Sequence, residues 1–141
     1  RRSRIEALAT QRRLDLHVVE TEEATFEAGR AAADQVRATP ATAAVAFNDL
    51  LAVGVIHGAR TAAVAVPANL SVVGCDGIDL AHMIDPPLTT VATPLTSLAT
   101  AVVALLADGE RASARKVSPT LMAGGTTMAV STASRRTKRT T

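Results

Sequence analysis

Asp76 ends the apolar run that begins at Ser71 and is followed at once by Gly77, while Asn48 ends a second apolar run, TAAVAF, with Asp49 beside it. A third run, LDLHVVE, closes on Glu20. A carboxylate accepts several hydrogen bonds and a primary amide both donates and accepts, so Asn48 with Asp76 suits a polyhydroxylated or heterocyclic ligand. Each residue also has a plainer role, Asn48 as a helix cap and Asp76 as a turn former ahead of glycine. Their shared position raises the pair above either residue alone. In open parallel sheets, ligands sit outside the carboxyl ends of the strands, where helix N-termini also point.

Other chemistries fit less well. A nucleophile at Cys75 with His57 or His82 as base and Asp76 as orienter lacks a recognisable spacing, and a solitary cysteine in an apolar strand behaves as an inert core residue. His17, His57, His82 and Cys75 form no pair at metal-ligand spacing, so no metal and no cofactor is expected. A phosphoacceptor domain needs a strand-end lysine, and Lys116 and Lys138, the only lysines, come too late. GVIHGAR lies inside a helical stretch rather than after a first strand, which removes a dinucleotide fingerprint. The chain is therefore not expected to be an enzyme.

The elements that would carry these residues alternate. Arg4 to Arg13 favours helix, with Ile5, Leu8 and Ala9 on one side, and residues 14–20 read as a strand. Thr25 is an N-cap for a helix in which Phe26, Gly29, Ala33 and Val36 recur at helical spacing until Pro40 stops it. TAAVAF is of strand length, and from Asn48 the stretch DLLAVGVIHGAR continues as helix. That helix is apolar nearly all round. Leu50, Leu51, Val53, Val55 and Ile56 imply cover on two sides, by a sheet and by something else, for which a partner subunit is one candidate. NLSVVG is the next strand, Leu80 to Met83 a helical turn, and LTTVAT is extended after Pro86-Pro87. Thr93 and Pro94 then open a helix whose apolar face carries Leu95, Leu98, Ala99, Val102, Leu105 and Leu106, and a last apolar stretch runs from Val117 to Met122. Helix alternating with strand argues for an α/β fold with a parallel sheet, because parallel neighbours need a crossover.

The 141 residues suit one domain, and an apolar fraction of 48% suffices for a core. Alanine and valine dominate, with Phe26 and Phe47 the only aromatic residues, which implies close backbone packing. The formal charge is +2, and setting aside Arg135, Arg136, Lys138 and Arg139 of the tail SRRTKRTT leaves the rest at −2. Such a tail reads as solvated, so nucleic-acid binding does not rest on it. A lone cysteine fits a reducing cytoplasm, and no run approaches the roughly 18 apolar residues of a membrane span. The chain begins at Arg1 rather than Met, as an excised piece would.

AVAFNDLLAVGVIHGA, VPANLSVVGCDGIDLA and DPPLTTVATP, in that order and spacing, resemble the effector-binding core of lactose/galactose-repressor-type (LacI/GalR) transcription regulators. The resemblance runs in register from about Ala43 to Leu106. It implies a two-lobed, periplasmic-binding-protein-like (type I) α/β sandwich, with residues 1–91 as most of the C-terminal lobe, 92–123 as a crossover helix and strand of the other lobe, and 124–141 undecided, its end at 134–141 a basic tail. It places Asn48 and Asp76 at effector-contacting positions with Asp49 beside them, and Arg1 and Arg2 nearest the family's effector-contacting arginine. Leu95 lies near a position where some sugar-binding members carry an aromatic residue. Cys75 stands where Phe or Tyr is common, Gly77 replaces the second Asp of a pair, and Gly124 replaces an arginine.

What the resemblance implies is a cytoplasmic sensor of a small-molecule effector, a sugar or related metabolite, that forms a homodimer through this lobe and meets DNA only through a head domain outside this sequence. A solute-binding protein of a transport system, which shares the fold, and an inactive truncated fragment of a regulator stay open as alternatives.

Overall fold

The computed structural model describes residues 2–108 and 116–129; Arg1 and the basic tail at 134–141 lie outside the described residues. Helix α1 spans Arg2–Arg12 and α2 spans Phe26–Ala38. Thr25 caps α2, its hydroxyl accepting the Ala28 amide at 3.2 Å, and Glu27 in the first turn complements the positive end of the helix dipole. Between the two helices, residues 14–20 form no strand. The expectation of a strand there is corrected for a physical reason. An extended run becomes a strand only where neighbouring backbone takes up its N–H and C=O groups, and no strand among the described residues lies alongside this one.

Strand β1 is Ala43–Val45, α3 is Asp49–Thr61, β2 is Ser71–Asp76 and α4 is the single turn Leu80–Met83. Strand β3 is Thr89–Ala92, α5 is Leu95–Asp108 and β4 is Thr120–Met122. The strands form one sheet in the order β1-β2-β3-β4. The first three are parallel, joined by crossovers through α3 and α4, and β4 returns antiparallel to β3. The α/β architecture expected from the alternation is therefore present. Gly125 donates its amide to Pro87 O, and Val72 donates to Thr126 O, so residues 124–127 lie back against β2 and the start of β3.

The core sits between α3 and the sheet. Ala52, Val55, Ile56 and Ala59 of α3 meet Leu70, Val72, Ala81 and Leu88, and each fully buried valine, leucine or isoleucine contributes about 1.5–3 kcal/mol. The second cover for α3 is α2 of the same chain. Glycines let these helices nearly touch: a Cβ on Gly54 would lie 2.1 Å from Phe26 O, and one on Gly29 would lie 2.3 Å from Leu51 O. Leu51, Val55 and Ile56, expected at a dimer interface, are buried within the chain itself. Leu50 remains exposed and Val53 half-buried.

Helix α5 differs from the rest. Leu95, Leu98, Val102, Val103 and Leu106 are all exposed along it. No helix among the described residues is long and apolar enough to cross a membrane.

Candidate functional site

Three pieces of backbone meet at the carboxyl ends of β1 and β2. Val45 pairs with Val73 and Ala46 donates its amide to Val73 O. Asn48 lies just past β1 as the cap of α3, and Asp76 is the last residue of β2. Asn48 is half-buried and Asp76 exposed. Both residues singled out by type and position thus lie at the carboxyl end of the β1-β2 pair.

Asn48 caps α3. Its Oδ1 accepts the Leu51 amide at 2.8 Å and its Nδ2 donates to Ala24 O at 2.9 Å. One hydrogen of the amide nitrogen and one lone pair of the oxygen are left over after these bonds, and the cap holds the side chain still. Cap and ligand contact are compatible roles here.

Asp76 has a φ of +116°, a region that L side chains seldom occupy. Strain of this kind persists only where the surroundings impose it. The surroundings do so here: Asp76 O accepts the Thr93 amide, and the next residue, Gly77, is at φ +73°. A Cβ on Gly77 would lie 2.5 Å from the Ala92 Cβ. Glycine is required at this position by both conformation and space, which accounts for its standing in place of a second aspartate.

Asp49, which the resemblance sets beside these two positions, is only 1% exposed and its carboxylate faces inward. Oδ2 accepts the amides of Gly77 at 2.8 Å and Ile78 at 2.9 Å, and Oδ1 accepts the Thr90 hydroxyl at 2.5 Å. It reaches Thr90 past Gly74, which pairs with Thr90 across β2 and β3. A Cβ on Gly74 would lie 2.2 Å from Oδ1.

Arg2 on α1 pairs with Glu6 and Glu20; hydrogen bonds to Glu6 and then Glu20 hold its guanidinium above the usual arginine value. Leu95 opens α5 and is exposed. Arg1 is outside the described residues. Glu20, the third strand-end residue of the sequence, follows no strand. His57 lies edge-on to Phe26, with ring centroids 5.5 Å apart. Among the described residues no group of three histidines, cysteines or carboxylates is placed to hold a metal ion.

The role of Thr126 went unread in the sequence. Thr126 is buried, donates its hydroxyl to Val72 O at 2.7 Å and accepts the Thr89 amide at 2.9 Å. Gly124 sits where a Cβ would be 2.3 Å from Pro87 O, so the chain has no room there for the arginine that the resemblance implies. A groove of about 820 Å³ lies between α5 and residues 116–120, lined by Thr96, Ser97, Thr100 and Lys116 among others. Neither Asn48 nor Asp76 lines it.

The comparisons with known proteins agree with this geometry. Residues 1–127 match the periplasmic binding protein-like domain. The transcriptional repressor CytR of Escherichia coli K12, of the helix-turn-helix type, is 40% identical over 86 residues, which are 60% of this chain and 25% of CytR. A LacI family transcriptional regulator from Arthrobacter sp. FB24, solved in complex with lactose, is 30% identical with a TM-score of 0.79, covering 88% of this chain and 49% of that one. Another from Enterococcus faecalis V583, solved with bound ribose, shares the fold at 24% identity and a TM-score of 0.81, covering 92% of this chain and 50% of that one. The chain thus spans about half the length of these solved regulators. By fold and by the length of the match, it belongs to the periplasmic binding protein-like domain family, in the form that LacI-type regulators carry.

Proposed function

We propose that the chain is the effector-sensing part of a cytoplasmic LacI-type transcriptional regulator, and that it takes a sugar or related polyhydroxylated metabolite between Asn48 and Asp76. What supports this reading is that an amide capping α3, just past β1, and a carboxylate ending the neighbouring parallel strand β2 both lie at the carboxyl end of this strand pair. Together they offer donors and acceptors at fixed positions, as a ring of hydroxyls requires. The sugars held by the solved regulators support the ligand class.

On this reading residues 1–91 act as one lobe and 92–123 belong to the other, and the ligand favours the arrangement in which the lobes close on it. The whole regulator would dimerise, with the exposed Leu50 and half-buried Val53 of α3 available for contact, and would meet DNA through a separate head. Ligand binding changes DNA binding only if the two lobe arrangements differ in ligand affinity. A solute-binding role on the same fold is disfavoured by the regulator relatives. Calorimetry on the product of the native gene, titrated with ribose and with lactose, tests the site. Asp76→Ala is expected to abolish binding with the fold retained, and unchanged affinity in that variant would remove Asp76 from the site.

A further inference from the structure

We propose that Asp49 is a positioning residue for this ligand site: its buried carboxylate fixes the turn that presents Asp76 and ties that turn to β3. The proposal rests on the reading of Asp76 as a ligand contact, and its geometry stands independently of which ligand binds. Asp76 itself sits in a backbone conformation that no L residue prefers. The turn immediately after it is held by two amides, those of Gly77 and Ile78, and both donate to the same oxygen, Asp49 Oδ2. Both amides follow Asp76 directly, so their direction sets the direction in which Asp76 leaves β2.

The other oxygen reaches a different element. Oδ1 takes the Thr90 hydroxyl, and Thr90 is fully buried in β3. This contact crosses β2 at Gly74, where the absence of a side chain leaves the passage open. One carboxylate at the start of α3 thereby joins the helix that carries Asn48, the turn that follows Asp76, and the strand that leads through Thr93 to α5. Asn48 and Asp49 are adjacent in sequence with opposite tasks, the first half-exposed beside the site and the second buried beneath it.

Asp49→Ala and Asp49→Asn in the 141-residue chain separate positioning from general stability. Amide exchange by NMR, read at Gly77 and Ile78 relative to Val72, is expected to rise by about tenfold or more in Asp49→Ala, since both amides lose their acceptor. In Asp49→Asn, which keeps one oxygen for the amides and can turn its NH2 to the Thr90 hydroxyl, the two are expected to stay within about threefold of the parent. A uniform rise at all three amides, or none at Gly77 and Ile78, overturns the clamp. Ribose and lactose titrations on the native gene product, well below its melting temperature, form the second arm. Asp49→Ala is expected to weaken whichever sugar binds by about tenfold or more, with Asp49→Asn restoring most of the affinity. Loss of binding in Asp76→Ala without loss in Asp49→Ala overturns positioning and leaves the site reading intact. If neither sugar binds the parent, the site reading fails on its own, and the exchange arm still decides whether Asp49 holds the turn.

Discussion

Gly74→Ala is the sharpest test of how the site is held. The added Cβ would stand 2.2 Å from Asp49 Oδ1, 3.2 Å from its Cγ and 2.8 Å from Leu88 Cδ2. Carbon and oxygen rest at roughly 3.3 Å or more, so the carboxylate must retreat by about 1 Å. A retreat of that size is incompatible with the 2.5 Å bond to Thr90, and Leu88 closes the space on the other side. Thr90 has no exposed surface, so water does not replace the lost partner. Losing a buried hydrogen bond to a charged group costs about 1.5–3 kcal/mol. Overpacking adds about 1–3 kcal/mol, while replacing glycine within a strand returns about 0.5–1 kcal/mol. The net expectation is a destabilisation of about 1.5–5.5 kcal/mol, read as a lower midpoint in urea with an unchanged slope. Thr90→Val then identifies the cause. It should cost less on the Gly74→Ala background than on the parent, because the bond it removes is already gone. A loss below about 1 kcal/mol for Gly74→Ala, or strict additivity with Thr90→Val, would refute the reasoning.

Two further substitutions probe neighbouring parts of the argument. Gly54→Ala should lower stability by about 2 kcal/mol or more despite the better helix propensity of alanine, because the methyl meets Phe26 O and the Arg30 amide at 2.1 and 2.8 Å; thermal melting checks it, and a raised melting temperature would mean the helices separate freely. Asp76→Gly should relieve backbone strain worth about 1–3 kcal/mol and so melt higher than Asp76→Ala, while calorimetry shows both variants equally blind to sugar.

The sequence exposed some parts of the site and hid others for identifiable reasons. Thr25 and Asn48 were readable as caps because capping is local: a side chain of the right type precedes an apolar-periodic run. The strand end at Asp76 followed from the same local patterns. Residues 14–20 were not readable, since alternation of apolar side chains says nothing about whether a neighbouring strand is there to pair with them. The two-sided burial of α3 was legible, but its cause was not, because Gly29 and Gly54 signal close approach only once the two helices are known to face each other. Asp49 was recognised by type, while its burial was not legible. The available clue was Gly74, a residue without a side chain at an inward-facing position of a strand, beside a threonine pair that could have been matched to the threonines at 126 and 127.

Asp49 raises a question that stability alone does not answer. An ionised carboxylate taken out of water costs several kcal/mol, which its three donors offset without an assured surplus. Apolar side chains of similar volume often serve stability as well or better. What an apolar residue could not do is hold two consecutive amides and a hydroxyl from a different strand in one geometry. Those three donors belong to the turn after Asp76 and to β3, and Thr93, just beyond β3, donates its amide back to Asp76 O. The turn is therefore held at both ends, by a side chain from α3 and by backbone that leads into α5. These contacts adjoin the apolar core at Gly74, where an added Cβ would meet both Asp49 and Leu88. The buried charge makes sense as the element that keeps Asp76 aimed, and that lets the ligand end of the sheet register what happens along β3.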